Sequence, residues 1–598
     1  MTLVLERNGC MKKETGYPSV DKIHEEGFSY FKRNPIIPDV SIYNAISLIN
    51  IFNKNSNAIE CMDLNISYRE LFNEAVIISK SFKEMEIKKG DIITVCTPNT
   101  YQAVVVFLAA NRIGAITTFL NYLASDNEIK EYLNLFESPL FINYDRTLEY
   151  NEKIKKETKV RQIVTLRKED VYNKRISRID SSLIGYSDFV GYKDLYNIAD
   201  YYKGIINPIR SSKEDALILY TSGSSGNPKA VLLTNENVLA SGIYIKNTIN
   251  LPQTKGDKCL CFVPFKYPYG FATSVLLTLM CSRTVVLVPD GLNERNAKNV
   301  LPKINYYYGS PALLDVLKTI VDGTVDLSSS HTFVTGGDFF TEKAEMIGRE
   351  FFKNHNCNNM TFCNGAGNAE TVATWSSSVG TIVKPGTVGR ILVGEDPIVV
   401  DSDTMKEVKY DEEGTLLLRG KNVFKGYYKS PELTNHEKVI INGKEYYNTR
   451  TVGKLSRDRF FSLTGRESRF YILSDGNKVY CEKIQNFISS LDIVKSCVVV
   501  GKPDDQSRFV GKAYVVLREN IFPDEQARNY IFEQCTKEIV GINGDVLQLN
   551  SFEIPASLDF VEKIDLTEAD KINYKEYEKM AIEEYENEKK NKKKIRFM

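Results

Sequence analysis

The chain is poor in histidine. Only His24, His331, His355 and His436 occur in 598 residues, and no two of them lie at metal-ligand spacing. Structural zinc and histidine-based catalysis are therefore poor readings. No charge is in excess: Lys+Arg and Asp+Glu are both 77. A dedicated nucleic-acid binder carries a basic surplus, so that class of partner is set aside. The start, MTLVLERNGC, lacks a basic-then-apolar leader. The eleven cysteines are scattered and odd in number. Both features predict a reduced, cytoplasmic protein without a disulfide framework. Cys259 and Cys261, two apart in an apolar run, read as strand residues rather than metal ligands. No transmembrane segment is expected. The best apolar stretch, QAVVVFLAANRIGAITTFL, holds Asn111 and Arg112 in its middle and reads as a buried helix.

What is present is ordinary globular material, 42% hydrophobic and 26% charged. The length calls for two or more domains. Residues 1–40 are mixed and polar and read as a lead-in segment on the surface. From about 66 to 300 short apolar strands alternate with helical stretches, as in DIITVCTP followed by Tyr101 to Ile113. RTVVLVP, INYYYGSP and HTFVTGG continue the pattern. Such alternation predicts a largely parallel sheet flanked by helices. Near 380 the texture changes. GTVGRILVGEDPIVVDSD and GTLLLRGKNVF alternate with turns and suggest a small barrel-like β layer. After Gly465 a compact α+β mix follows. The last stretch, EKKNKKKIRFM, reads as a solvated basic tail.

The densest chemistry lies in Tyr220-Thr-Ser-Gly-Ser-Ser-Gly-Asn-Pro-Lys229. Gly223 and Gly226 let backbone amides approach an oxyanion. Thr221, Ser222, Ser224 and Ser225 add hydroxyl donors, and Lys229 adds positive charge. This is equipment for a polyphosphate. It is not the Walker pattern, which needs Gly, four residues, then Gly-Lys-Ser/Thr.

In this stretch the sequence resembles the adenylate-forming superfamily, which comprises acyl-CoA synthetases, aryl-CoA ligases and adenylation domains. Further blocks follow in the family's order. Asn364-Gly-Ala-Gly-Asn-Ala-Glu370 resembles its aromatic-Gly-x-Thr-Glu block. The resemblance gives Glu370 the role of holding Mg²⁺, with Ala366 where a tyrosine usually stacks on adenine and Gly367 beside it. Gly336 and Gly337 match the glycine pair next to adenine. Thr449-Arg-Thr-Val-Gly453 through Gly465-Arg466 matches the family's Thr-Gly-Asp-Leu-Gly … Gly-Arg block. Arg466 is then the arginine that reaches the nucleotide. Thr451 stands where the family has the aspartate that accepts from the ribose, and a hydroxyl accepts without charge assistance. GRESRFYILSDGNKVYCEKIQ resembles the long-chain acyl-CoA synthetase form of the hinge block, with Ser468 at the hinge. Near the C-terminus, Thr567-Glu-Ala-Asp570-Lys571 aligns Lys571 with the catalytic lysine, and Asp570 replaces the usual glycine.

The resemblance implies an α/β fold. A large N-terminal domain of parallel sheets flanked by helices, with a small barrel-like β layer, is followed by a small mobile α+β C-terminal domain. The implied boundaries are 1–40, 41–465, 466–582 and a tail at 583–598. Val263-Pro-Phe-Lys-Tyr-Pro-Tyr-Gly-Phe271 resembles the acyl-pocket segment, so Tyr267 and Gly270 are pocket candidates, with Tyr307 from the Tyr306-Tyr307-Tyr308 run. An aspartate that would hold an α-ammonium group is missing from this segment, which favours a plain fatty or aryl carboxylic acid. The expected reaction uses ATP and Mg²⁺ to form an acyl-adenylate and transfers the acyl group to a thiol. That thiol belongs to coenzyme A or to the phosphopantetheine of a separate carrier protein. About 30 residues follow Lys571, too few for a fused carrier. A third alternative is a degenerate relative that binds ligand with weak turnover.

Overall fold

The structure, a computed structural model, describes residues 3–5, 11–26, 28–171, 189–208, 211–221, 228–249, 256–337, 340, 342–378, 384, 386–473, 478–504, 509–540, 546–566 and 572–596. Its centre is a pair of large sheets. One has eight strands among the described residues, in the order 426–427, 230–234, 215–220, 116–119, 92–96, 140–144, 162–166, 189–191. From Asp215–Tyr220 to Phe189–Gly191 its neighbours are parallel. The other has nine, in the order 390–391, 376–377, 361–366, 332–335, 306–309, 258–261, 284–287, 57–61, 64–67. Its six middle strands are likewise parallel. Parallel sheets are buried on both faces, which explains why DIITVC and RTVVLV read as continuous apolar runs rather than alternating ones.

The apolar stretch around Asn111 shows how polar residues survive in this core. It forms the helix Tyr101–Ile113, capped by the Thr100 hydroxyl accepting from the Ala103 amide and ended by Gly114 at φ 79. Asn111 donates to Asn235 Oδ1 at 2.8 Å and accepts from the Tyr43 amide at 2.9 Å. Arg112 donates to Ser79 Oγ at 3.2 Å. Asn111 and Arg112 are thus tied into the core by hydrogen bonds. Among the described residues, no helix is long and apolar enough to cross a membrane.

The β layer near 380 is a five-stranded sheet built on Asp396–Val400, Glu413–Arg419, Lys444–Leu455 and Lys438–Ile441, with Phe461–Arg466 paired to Lys444–Leu455. Part of the lead-in segment packs on it: Ser19 donates to Glu407, and His24 meets the Tyr410 hydroxyl at 2.6 Å. After Arg466 comes the smaller α+β unit, with strands Val494–Pro503, Phe509–Leu517 and Ser557–Phe560. It has its own buried cluster around Ile484, Val499, Val515 and Ile531. The ten described cysteines are buried and free.

One sequence expectation is corrected here. The basic tail does not begin as a separate segment at 583, because the helix Tyr574–Arg596 runs through that position. Lys502 binds Glu584 at 2.7 Å and Glu588 at 2.9 Å, and Lys512 also reaches Glu584. These pairs fasten the charged stretch to the strands beneath it.

Candidate active site

The parallel strands of the nine-stranded sheet end at Gly309, Thr335 and Ala366, and the segments that follow them carry the glycines. Ligands of open α/β sheets bind at these carboxyl ends. Gly337 has φ 89, a conformation that glycine adopts without a Cβ clash. At Gly367 a Cβ would lie 1.5 Å from the Ala373 carbonyl, so only glycine fits that approach. The strands Asp215–Tyr220 and Ala230–Thr234 form an antiparallel pair across the phosphate-type loop. Its ends are pinned: the Thr221 amide donates to the Lys229 carbonyl at 3.1 Å, and the Lys229 amide to Thr221 Oγ1 at 3.0 Å.

These ends open into one cavity of about 1030 Å³. Of the residues singled out by sequence, Thr221, Lys229, Tyr267, Gly336, Gly337, Ala366, Gly367, Glu370, Arg466 and Ser468 all line it. Ser222, Gly223, Ser224, Ser225, Gly226 and Lys571 lie outside the described residues.

Three assignments differ. Tyr307 points away from the cavity: it is buried on the opposite face of its strand, with its hydroxyl 2.8 Å from Ser330 Oγ and its ring stacked on Phe333. Successive strand side chains alternate, so Tyr306 and Tyr308 face the cavity instead. Thr451 is 6% exposed and does not line the cavity; its hydroxyl donates to the Thr449 carbonyl at 3.2 Å. Gly270 shapes the wall rather than lining it. A Cβ there would meet the Pro264 carbonyl oxygen at 2.2 Å.

The cavity also gathers residues that the motifs did not name. Tyr427, from an edge strand, donates its hydroxyl to Glu370 Oε1 at 2.5 Å. Its ring lies under Lys229 Nζ, 4.9 Å from the centroid. Lys229 reaches Glu437 Oε1 at 3.4 Å. Glu437 in turn accepts from Arg450 Nε at 2.9 Å, and Arg450 Nη1 reaches Glu467 Oε2 at 3.0 Å. Glu467 also accepts from the Thr415 hydroxyl. Arg450 holds φ 57 at the place of the family's glycine, and these ion pairs lock it in that uncommon conformation. One signal for Arg450 was legible: an arginine where the block has glycine. Glu437 carried none, since its partner Lys229 is 208 positions away.

The charges are not equally committed. Lys229 and Arg450 have carboxylate partners, whereas the Arg466 guanidinium makes no ion pair with the described residues. Burial, with Arg469 behind it, holds the Arg466 pKa below the usual arginine value, against the pull of Glu482. An anion entering the cavity would relieve that cost. Burial pushes the Glu370 carboxyl above the ordinary glutamate range, and the Tyr427 hydroxyl and then Lys229 pull it back. A carboxylate oxygen is a hard ligand suited to Mg²⁺, and this one faces the cavity with a cation nearby for phosphate oxygens. The residues present therefore fit a metal-nucleotide.

A pH profile tests this carboxylate. If Glu370 acts ionised, turnover rises with pH through its titration. Tyr427→Phe removes the hydrogen bond that favours the charged form. The midpoint of the rate profile is expected to move to higher pH, with the rate at pH 7 reduced several-fold. An unmoved midpoint would mean that Glu370 is not the group being titrated.

The family model described as "AMP-binding enzyme" matches residues 52–428, and "AMP-binding enzyme C-terminal domain" matches residues 483–571. The probable 4-coumarate–CoA ligase 1 of Dictyostelium discoideum is 24% identical over 454 residues, 74% of this chain and 79% of that protein. Among solved structures, ATP-bound MatB from Rhodopseudomonas palustris superposes with TM-score 0.74 at 20% identity, over 91% of this chain and 99% of its own. The anthranilate CoA ligase AuaEII in complex with anthranoyl-AMP gives TM-score 0.74 at 19% identity, over 92% and 98%.

Proposed function

The chain belongs to the AMP-binding enzyme family, and from that premise we propose that it activates a fatty or aryl carboxylic acid with ATP and passes the acyl group to a thiol, that of coenzyme A. The observation that carries this reading is the single cavity. Lys229, Glu370 and Arg466 lie in its walls together with an aromatic and apolar branch that includes Phe265, Leu277, Tyr306 and Val334.

The first step joins two anions. A carboxylate oxygen attacks the α-phosphorus of ATP, the bond to pyrophosphate breaks, and acyl-adenylate forms. Lys229 and the amides of its loop are assigned to the phosphates, and Arg466 to the nucleotide. Glu370 is assigned to Mg²⁺. The metal, when bound, neutralises charge on the departing pyrophosphate. Tyr427 keeps the Glu370 carboxylate oriented through its 2.5 Å hydrogen bond. Lys571 is assigned to the negative charge that builds up between carboxylate and phosphate. In the second step a thiolate attacks the acyl carbonyl and AMP leaves. Ser468, exposed where the five-stranded sheet meets the small unit, is the proposed hinge between the steps.

A second reading is a ligand binder with weak turnover. It draws on Thr451 being turned to the Thr449 carbonyl and on Lys229 being already paired with Glu437. One experiment separates the two. Pyrophosphate release is measured across fatty, aryl and amino acids, beside ATP binding by calorimetry. Release with at least one acid supports activation, whereas ATP binding without release from any acid supports the binder. The acceptor is then tested with coenzyme A against a phosphopantetheinylated carrier protein. Thioester on the carrier alone would sink the coenzyme A assignment.

A further inference from the structure

The acyl branch of the cavity runs down the face of the nine-stranded sheet, and strand register sets its depth. Tyr308 lies beside Val334, and Tyr306 beside Thr332, one step further from Gly336. All four line the cavity. Thr332 lies four positions before Gly336, so at a strand rise of about 3.3 Å per residue the branch descends roughly 13 Å.

The walls at that depth are not a plain hydrocarbon slot. Tyr308 is 2% exposed, and its hydroxyl has no hydrogen-bond partner among the described residues. Behind the floor Arg283, 1% exposed, places its guanidinium 4.0 Å from the Tyr306 ring centroid and donates to the Tyr306 hydroxyl at 2.9 Å. Buried polar groups are nearly always hydrogen-bonded, so the unpartnered Tyr308 hydroxyl in the cavity wall points to a ligand that supplies the missing partner. The buried cation makes the potential at the floor positive and favours an acceptor over a donor there. A saturated chain would leave this hydroxyl unsatisfied.

We propose that the acid activated here carries a hydrogen-bond acceptor, a hydroxyl, carbonyl or second carboxylate oxygen, at the end remote from the reacting carboxylate, and that the Tyr308 hydroxyl donates to it. The proposal rests on the acid-activating reading and narrows its substrate class. Tyr308 would be a specificity-determining residue that touches the far end of the substrate and takes no part in the chemistry.

The test uses the full chain and matched acids: octanoic, 8-hydroxyoctanoic and octanedioic acid, and 3-phenylpropanoic against 3-(4-hydroxyphenyl)propanoic acid. The readout is the ratio of kcat/KM for pyrophosphate release, polar-tipped over plain. The expected ratio is about tenfold or more, the scale of one well-placed hydrogen bond. The hydroxy and dicarboxylic arms tell which acceptor is preferred. Tyr308→Phe should bring the ratio close to one, and Tyr307→Phe, on the other face of the strand, should leave it in place. A wild-type ratio near one, or a ratio that survives Tyr308→Phe, overturns the proposal. Failure of the activation reading has a different signature, no pyrophosphate from any acid. The same ratio is then taken from calorimetric affinities of these acids and decides the proposal by the same criterion.

Discussion

Lys571→Ala is expected to lower pyrophosphate release by about 10²–10³-fold, the usual cost of removing a group aimed at developing charge. ATP affinity should change by no more than a few-fold. Attack of a carboxylate on a phosphate brings two negative groups together, so a cation acting only as they approach stabilises the transition state more than the bound nucleotide. Lys229 and Arg466, the residues proposed to hold ATP, remain in the cavity wall. The described residues that flank position 571 in sequence are fastened to one another. Leu566 bridges to Ile572, the Asn573 amide donates to the Asp565 carbonyl at 2.9 Å, and the Asp565 amide bonds the Tyr577 hydroxyl at 2.8 Å. A folding defect is therefore not expected. Pyrophosphate release that survives the change, with ATP bound normally, would remove Lys571 from the mechanism.

Glu370→Gln is the second large effect. The substitution keeps the volume and an oxygen to accept from Tyr427, and it removes the charge. A drop of roughly 10²-fold in pyrophosphate release is expected, with a higher Mg²⁺ concentration needed for half-maximal rate. Stability should move the other way. The folded carboxyl has its pKa raised by burial, so the native state holds a proton that the unfolded state gives up. Its contribution is therefore lost as pH rises from the unfolded value through the folded one, and at high pH the buried charge destabilises the fold. Glutamine has no such term. The variant should melt at the same temperature as the parent or higher at pH 8, and the gap should close toward pH 4. Activity that falls together with the melting temperature would mean that Glu370 is structural.

Several parts of this architecture were legible without coordinates. Continuous apolar runs separated by helical stretches announced parallel sheets, because strands buried on both faces need apolar side chains on each. Thr221 and Lys229 stood out in a short run of glycines, hydroxyls and charge, and Glu370 and Arg466 through the resemblance of their blocks to the adenylate-forming family. Such patterns reflect turns and strand ends, which local backbone chemistry specifies. The parity of the Tyr306–Tyr308 run was not legible in the same way. Three tyrosines in a row satisfy either face, and only the pairing of their strand between Lys258–Cys261 and Thr332–Thr335 decides which two meet the cavity.

By itself the sequence determined the fold class and the order of the segments proposed to meet phosphate, metal and nucleotide. The cavity gathers lysine, arginine, glutamate and tyrosine together with one of the four histidines, His436, which meets Arg450 at 3.0 Å. The tertiary structure alone decided three things: that Thr451 is turned away, that Glu437 is shared by Lys229 and Arg450, and that Tyr306 and Tyr308, rather than Tyr307, face the cavity with Arg283 behind them. The physical reason is range. Caps, turns and strand runs are set by neighbours a few positions apart, whereas an ion pair spanning 208 positions exists only after separate sheets have packed.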